Sequence, residues 1–459
     1  MIQKKIVNKL YDIVGKDHVS VSKETCACYS YDATNLIYMP DAVVFPGHTN
    51  EIQCIMQLAN EFNLYVTPRG AGTGMTGGAL PVHGGIIMVM TRFNQIRQID
   101  KDNLTADVQP GVITGDFHQA VEKEGLFFPP DPSSSAYSTL GGNVAECAGG
   151  PRAVKYGVTR DYVLGLEAVL PSGELIHTGV RTVKGVTGYD LTRLIIGSEG
   201  TLAIITGMTL KLIPLPASIR TMSAVFDSIH CAAQTVSKII QQGIPPRTIE
   251  FMDQFAIQCA DDYLNANLPV SAGAMLIIEV DGDETVTNTE INRISMICQN
   301  EGASISIAKT KQEADILWQA RKAISPALFK YAPDKLNEDI VVPRSKIPDL
   351  VDKICELREL TQLTMVSFGH AGDGNIHFTI MLDKNNPSEV KQAELALESL
   401  FDYTIQSGGT LSGEHGIGIT KASYLSKELS PVEIKLMKSI KYAFDPKGIL
   451  NPGKIFCSS

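Results

Sequence analysis

The chain's 459 residues exceed what one hydrophobic core usually organises, so two or three domains are expected. A hydrophobic share of 44 % with 20 % charged residues describes a globular protein, and a net charge of −10 with no basic stripe excludes a nucleic-acid binder. The longest apolar runs, residues 86–90 and 275–278, are strand-sized, so no transmembrane segment is expected, and residues 1–9 have no apolar signal core behind them. Of nine scattered cysteines only Cys26 and Cys28 lie close, as C-x-C, which supports neither an iron–sulfur cluster nor a cysteine zinc knuckle. Scattered thiols fit a reducing compartment, and a cytoplasmic location is expected.

In chain order, residues 1–35 predict an amphipathic helix, with Ile6, Leu10, Ile13 and Val14 on one face, and then a polar stretch. From Ala42 to about Leu215, short apolar strands (42–45, 64–67, 85–90, 163–170) alternate with helices. The helix at 51–62 points Ile52, Ile55, Met56 and Ala59 inward, and another spans 115–124. The strand at 163–170 ends in the turn Pro171-Ser172-Gly173. Pro214 and Pro216 are expected to stop a strand at 209–213 and to mark a boundary. Helices at 228–242 and 285–301 and a strand at 274–280 then predict a second α+β domain. A last helix covers 430–444.

One loop stands out in the first half. Pro68-Arg69-Gly70-Ala71-Gly72-Thr73-Gly74-Met75-Thr76-Gly77-Gly78 follows a predicted strand. Glycines there let the backbone close around a phosphate, with amide N–H groups as donors. Gly72, Gly74 and Gly77 have the spacing of the dinucleotide fingerprint, but that motif requires strand, loop, then helix. Pro81 and Gly84-Gly85 precede another strand and leave no room for the helix. No Lys-Ser/Thr ending makes it a triphosphate loop. A strand–loop–strand cradle for a pyrophosphate remains, the alternative being an ordinary surface loop. Gly141-Gly142, Gly149-Gly150, Gly157 and Gly200 also permit close approach to a flat or extended ligand, although singly each reads as a turn.

A second constellation lies near the carboxyl end. Gly369-His370-Ala371-Gly372-Asp373-Gly374-Asn375-Ile376-His377 and Ser412-Gly413-Glu414-His415-Gly416 contain three of the nine histidines. Two neutral imidazoles and a carboxylate can hold a divalent cation with a position left open, and His415 can then move a proton near neutral pH. Histidines seven residues apart converge if the segment turns back on itself, which Gly372 and Gly374 permit. Glu414 and His415 are neighbours and point apart, so one can ligate while the other faces a substrate. Glycine-rich turns with locally satisfied histidines are the alternative.

In this order, these segments resemble the vanillyl-alcohol oxidase and para-cresol methylhydroxylase flavoprotein superfamily, from about residue 40 to 216. The second half resembles the branch of FAD-linked D-2-hydroxyacid dehydrogenases, through the two histidine motifs and Asn451-Pro452-Gly453-Lys454. The resemblance implies an α+β fold. A PCMH-type FAD-binding domain of two α+β subdomains spans 38–216, after an N-terminal helical segment at 1–37. An α+β substrate or cap domain with an antiparallel sheet spans 217–425, and a C-terminal helix and tail at 426–459 return to the FAD domain. Pro68, Arg69, Gly70, Ala71, Gly72, Thr73, Gly74, Met75 and Gly78 are expected to bind the FAD pyrophosphate. Pro130, Gly141, Gly142, Asn143, Gly149, Tyr156, Gly157, Val158, Gly200, Ile204 and Asn451 are expected elsewhere along the cofactor. No histidine lies in the loop, where Arg69 stands at the start, so noncovalent FAD is expected.

The resemblance further implies that His370, His377 and Glu414 hold zinc, manganese or iron as Lewis acid and template. His415 would take the hydroxyl proton while hydride leaves Cα for flavin N5. Arg321, by itself readable as a solvated helix arginine, would clamp the substrate carboxylate as a bidentate fork, with Asn375 adding a hydrogen bond. Relatives acting on D-2-hydroxyglutarate carry a lysine ahead of the segment matching Val341-Val342-Pro343. Here Leu336-Asn337-Glu338-Asp339-Ile340 is acidic, which favours D-lactate or glycolate. Electrons are expected to pass to an electron-transfer flavoprotein, an iron–sulfur subunit or quinone, and a homodimer is a further option. The alternatives are a D-2-hydroxyglutarate dehydrogenase and a non-catalytic electron-transferring flavoprotein subunit. A metal-dependent hydrolase would leave the glycine loop without a role.

Overall fold

The computed structural model describes residues 2–457. The chain folds into two compact units. The first takes the chain up to Gly149, then Val158–Leu215 and everything from Glu414 onward; the second takes Gly150–Gly157 and Pro216–Gly413.

The first unit holds a four-stranded sheet in the order Val19–Ser20, Ala42–Val44, Ile86–Val89, Val66–Arg69. The last three strands are parallel, and Ala42–Val44 and Ile86–Val89 read as unbroken apolar runs because both faces are covered. On one face, Ile52, Ile55, Met56 and Ala59 of the helix Thr49–Phe62 share a core with Val44, Val66, Ile86 and Met88. Ile6 and Leu10 of the helix Lys4–Val14 join them. Cys26, Val43, Ile87 and Val89 fill the other face. Residues 449–451 lie along the Val66 edge: Val66 N–H donates to Ile449 O at 2.9 Å, and Asn451 N–H to Val66 O at 2.8 Å. A five-stranded antiparallel sheet completes the unit, in the order Ile96–Asp100, Thr105–Val108, Ile204–Lys211, Val163–Val169, Leu175–Gly179.

Two local expectations change. The strand placed at 209–213 runs from Ile204 to Lys211, and Ile213–Pro214 makes its own short pairing with Leu126–Phe127. Residues 140–146, read as a glycine turn, form the helix Leu140–Glu146, whose first turn is capped by the Thr139 hydroxyl accepting Gly142 N–H at 3.3 Å.

The second unit is a seven-stranded antiparallel sheet. Its order is Ser304–Ile307, Ser218–Phe226, Ala274–Gly282, Thr248–Asp253, Met365–His370, Asn375–Leu382, Asp334–Val341. Directly opposed residues share a face. Glu250 opposes His370, Met252 opposes Phe368, Phe368 opposes His377, and His377 opposes Asp339. Glu250, His370, His377, Asn375 and Asp339 therefore form a polar patch on one face. That face continues into Met252, Phe368 and Met381, which pack with Ala256 and Ala260 of the helix Gln254–Leu264 and with Ala320 and Ile324 of the helix Lys311–Ala327. Residues 150–157 belong here because Asp281 accepts from Lys155 Nζ at 2.5 Å and from the Tyr156 hydroxyl at 2.8 Å.

The unit closes at Gly413 rather than near residue 425, because the residues beyond are bound inside the first unit. Glu199 accepts the N–H groups of Ile417 and Gly418, each at 2.7 Å, and Thr76 O accepts Ile419 N–H at 2.8 Å.

Asp253 is a buried junction of the second unit. It caps the helix Gln254–Leu264 through Ala256 N–H, accepts Ser367 N–H at 2.8 Å from the neighbouring strand, and pairs with Arg358. Asp253→Ala strands the guanidinium and two amides, and should cost about 3 kcal/mol or more. Trp318, the single tryptophan, lies in this unit, so its fluorescence during urea unfolding reads the loss as a lower midpoint.

Candidate active site

The strands Met365–His370 and Asn375–Leu382 form a hairpin, and its register brings the two histidines onto one face. His370 Nε2 and His377 Nε2 lie 3.4 Å apart, with the rings nearly perpendicular at 83°. On the other side of the His370 ring, Nδ1 hydrogen-bonds Glu250 Oε1 at 2.6 Å. Glu250 Oε2 accepts Arg321 Nε at 2.7 Å. Burial pushes the Glu250 carboxyl up, but the His370 and Arg321 charges and the His370 hydrogen bond outweigh it and hold the group at about 2. Arg321 is thus a buried residue rather than a solvated one, 6 % exposed. Its guanidinium lies over the Phe368 ring, 4.8 Å from the centroid, and its Nη2 has no hydrogen-bond partner among the described residues.

Asp339 and Asn375 hold the second motif. Asp339 accepts the Ser412 hydroxyl at 3.1 Å and Gly413 N–H at 2.9 Å. Asn375 Nδ2 donates to Ile340 O at 3.2 Å and presses on Gly413, where a Cβ would collide with it. The amide of Asn375 thus braces backbone. Asn337 Oδ1 accepts the Thr379 hydroxyl at 2.8 Å. The acidic stretch around Asp339 therefore has a scaffold role, which weakens its use as a substrate determinant. Glu414 follows Gly413 directly and opens the last stretch of the first unit. Gly149 approaches Glu414 so closely that a Cβ there would lie 2.9 Å from Oε2. The carbonyl of His415 accepts the Thr76 hydroxyl at 3.0 Å.

The glycine loop joins the parallel strands Val66–Arg69 and Ile86–Val89 without a helix. The amides of residues 71–75 make no backbone or side-chain hydrogen bond among the described residues. Gly74 has open space where a Cβ would stand. Arg69 is buried against Gly72, with Nη2 on Tyr31 O at 2.8 Å and Nη1 without a partner among the described residues. Pro68 packs on Gly200, next to Asn451, whose Nδ2 donates to Gly78 O at 2.9 Å and to Glu199 O at 2.7 Å. Gly141 abuts Pro110, and Asn143 Nδ2 donates to Thr114 Oγ1 at 2.7 Å. Pro130 O pairs with His118 Nε2 at 2.9 Å, Val158 N–H donates to Asp161, and Ile204 is buried at the start of its strand. Tyr156 and Gly157 lie in the second unit, where the phenol is spent on Asp281.

Comparison with known proteins decides the family. Residues 215–455 match the model described as FAD linked oxidases, C-terminal domain, and residues 40–179 match the FAD binding domain. The chain belongs to the FAD-linked oxidases. It is 45 % identical to glycolate oxidase subunit GlcD of Bacillus subtilis, over 99 % of this chain and 97 % of that protein. It is 37 % identical to a D-lactate dehydrogenase of Anaerostipes hadrus, over 91 % of this chain and 89 % of the other. Among solved structures, p-cresol methylhydroxylase with substrate bound superposes with a TM-score of 0.82 at 18 % identity, covering 99 % of this chain and 96 % of that one. That likeness places the fold in the PCMH-type group. The chain is thus an oxidoreductase of the FAD-linked oxidases with a PCMH-type fold, and no helix among the described residues is long and apolar enough to cross a membrane.

The residues present fit both FAD and a divalent cation. Unpartnered amides and a buried, half-satisfied arginine suit the pyrophosphate of FAD. Two nitrogens about 2.0–2.1 Å from one tetrahedral cation stand about 3.3 Å apart, close to the separation of His370 Nε2 and His377 Nε2. The Glu250 carboxylate on the far nitrogen of His370 is the usual brace of a metal-binding imidazole.

Sequence reasoning missed Glu250, Glu199 and Glu146, and read Asp339 only as part of an acidic stretch. The available signal was an acid isolated in an apolar strand, as in Ile249-Glu250-Phe251, since a buried charge requires a partner. Glu146 ends its helix facing Gly78 and Gly416, and its Oε2 has no hydrogen-bond partner among the described residues. Burial, then the charges of Glu199 and Asp32, push its carboxyl well above the ordinary range. The native state therefore binds a proton that the unfolded chain releases near pH 4.3, and stability falls as pH rises from there toward the native value. Glu146→Gln removes that loss. Its melting temperature relative to the parent should rise between pH 5 and pH 8, as read by scanning calorimetry at both values.

Proposed function

We propose that the chain oxidises a small D-2-hydroxy acid, D-lactate or glycolate, to the 2-oxo acid. The observation that carries this reading is the pair of His370 and His377 nitrogens, 3.4 Å apart and braced by Glu250, in a chain of the FAD-linked oxidases. Residues 68–78 would hold noncovalent FAD, and His370, His377 and Glu414 a divalent zinc, manganese or iron ion. When bound, FAD supplies a two-electron acceptor for hydride, and the cation supplies charge that makes the substrate hydroxyl more acidic.

The chain's own residues perform the remaining tasks. His415 accepts the hydroxyl proton on its imidazole, as a general base suited to neutral pH. Arg321 offers Nη2 to the substrate carboxylate while Glu250 fixes its Nε, so the donor is aimed before substrate arrives. Glu250 also fixes the His370 ring. Asn375 and Asp339 act through the backbone of residues 412–413 and set the position from which Glu414 and His415 start. The similar proteins of Bacillus subtilis and Escherichia coli are named subunits of a glycolate oxidase, which supports a partner protein as the electron acceptor, with quinone the other option.

Anaerobic bleaching of the flavin absorbance tests the proposal across D- and L-lactate, glycolate and D-2-hydroxyglutarate, with and without chelator. D-lactate or glycolate should bleach it and chelation should slow it. His415→Asn should lower the bleaching rate about 10²–10⁴-fold while FAD stays bound. Bleaching unchanged by His415→Asn would remove the base assignment, and no response to chelator would remove the metal.

A further inference from the structure

The glycine loop does more than border the first unit; it also grips the segment that carries Glu414 and His415. The Thr76 hydroxyl donates to His415 O at 3.0 Å, and Thr76 O accepts Ile419 N–H at 2.8 Å. Gly418, at φ +51°, comes so near the Thr76 carbonyl that any Cβ would collide with it. From the other side, both carboxylate oxygens of Glu199 accept amides of the same segment, Oε1 from Ile417 and Oε2 from Gly418, each at 2.7 Å. Glu199 is 5 % exposed and sits at φ +54°, a left-handed conformation that disfavours glutamate. Its backbone is fixed in turn, since Glu199 O accepts Asn451 Nδ2, and the same amide group donates to Gly78 O at the end of the loop. Lys454 Nζ reaches Leu80 O at 2.7 Å, and Ile455 N–H reaches Gly418 O at 2.8 Å. Every one of these ties lies within the first unit.

The loop's middle is the opposite case. Residues 71–75 have no acceptor for their amides among the described residues, so a pyrophosphate would supply the contacts that order them. Thr76 is the next residue.

We propose that Thr76 and Glu199 are positioning residues that couple FAD occupancy of the glycine loop to the seating of the Glu414–His415 segment. This rests on the FAD and metal sites proposed above. A ligand that orders residues 71–75 fixes Thr76, and Thr76 with Glu199 fixes the backbone from which Glu414 reaches the cation. Linkage makes the effect reciprocal: FAD tightens metal binding by the same factor by which metal tightens FAD.

The test is FAD affinity of the full-length chain, from quenching of FAD fluorescence, with saturating Zn²⁺ and with EDTA. Zn²⁺ should tighten FAD binding about fivefold or more. Glu199→Asn tolerates the left-handed backbone but is too short to reach both amides, and should bring the ratio to one while FAD still binds. Thr76→Val removes only the hydroxyl tie and should lower the ratio without abolishing it. Thr76→Val also stands as the test if Glu199→Asn does not fold. A parent ratio of one, with both ligands bound, would overturn the coupling and leave the two sites intact, as would a ratio unchanged in the variants. Failure of Zn²⁺ or FAD to bind at all would remove the sites themselves and this inference with them.

Discussion

A carboxylate sealed from water must be compensated by its neighbours, and Glu250 meets that demand with a guanidinium and an imidazole at once. Its two oxygens hold His370 on one side and Arg321 on the other. Removing either partner would leave a buried charge half-satisfied, so the three residues constrain each other more tightly than pairwise packing would. The antiparallel register supplies the rest. Because Glu250 opposes His370 and His377 opposes Asp339, the group that braces the histidine ring and the group that braces residues 412–413 arise on the same face of the sheet.

The first unit solves a different problem, which is to keep a donor-rich loop open. Glycines let the loop stay near its neighbours without filling the space above it, while its ends are fixed by Pro68 against Gly200 and by Gly78 under Asn451. Buried acids nearby, Glu146, Glu199 and Asp32, face Lys454, which burial pulls down to about 8 against their charges. Such a group stabilises little by itself. Its geometry nevertheless ties the loop, the helix Leu140–Glu146 and residues 414–419 into one assembly.

Much of this was legible in the chain because it is local. The periodicity of Ile52, Ile55, Met56 and Ala59 predicts the helix that the structure contains, and Pro81 with Gly84-Gly85 correctly predicts a loop followed by a strand. The histidines were visible because glycines frame them. Glu250, Asp339 and Glu199 were not, since each acquires its role from a partner between about 70 and 220 positions away, and nothing at short range marks which acid will meet which amide. The glycine pair at Gly141-Gly142 misled for a related reason. Propensity argues for a turn, but the Thr139 cap and the close approach to Pro110 favour a helix in which glycine is required for contact. Tyr156 shows the converse, a polar group expected along the cofactor whose hydroxyl is committed to Asp281.

The return of residues 449–455 to the Val66 edge also orders events in time. Asn451 closes on Gly78, 373 residues earlier in the chain, and Lys454 closes on Leu80, 374 residues earlier. A ribosome that has made the glycine loop has therefore not yet made the residues that anchor it, and the intervening second unit must be synthesised first. Contacts of such separation form late because the loop-closure entropy must be met before they contribute. The nascent first unit can assemble its parallel sheet early, but its glycine loop is anchored only after translation has passed residue 454.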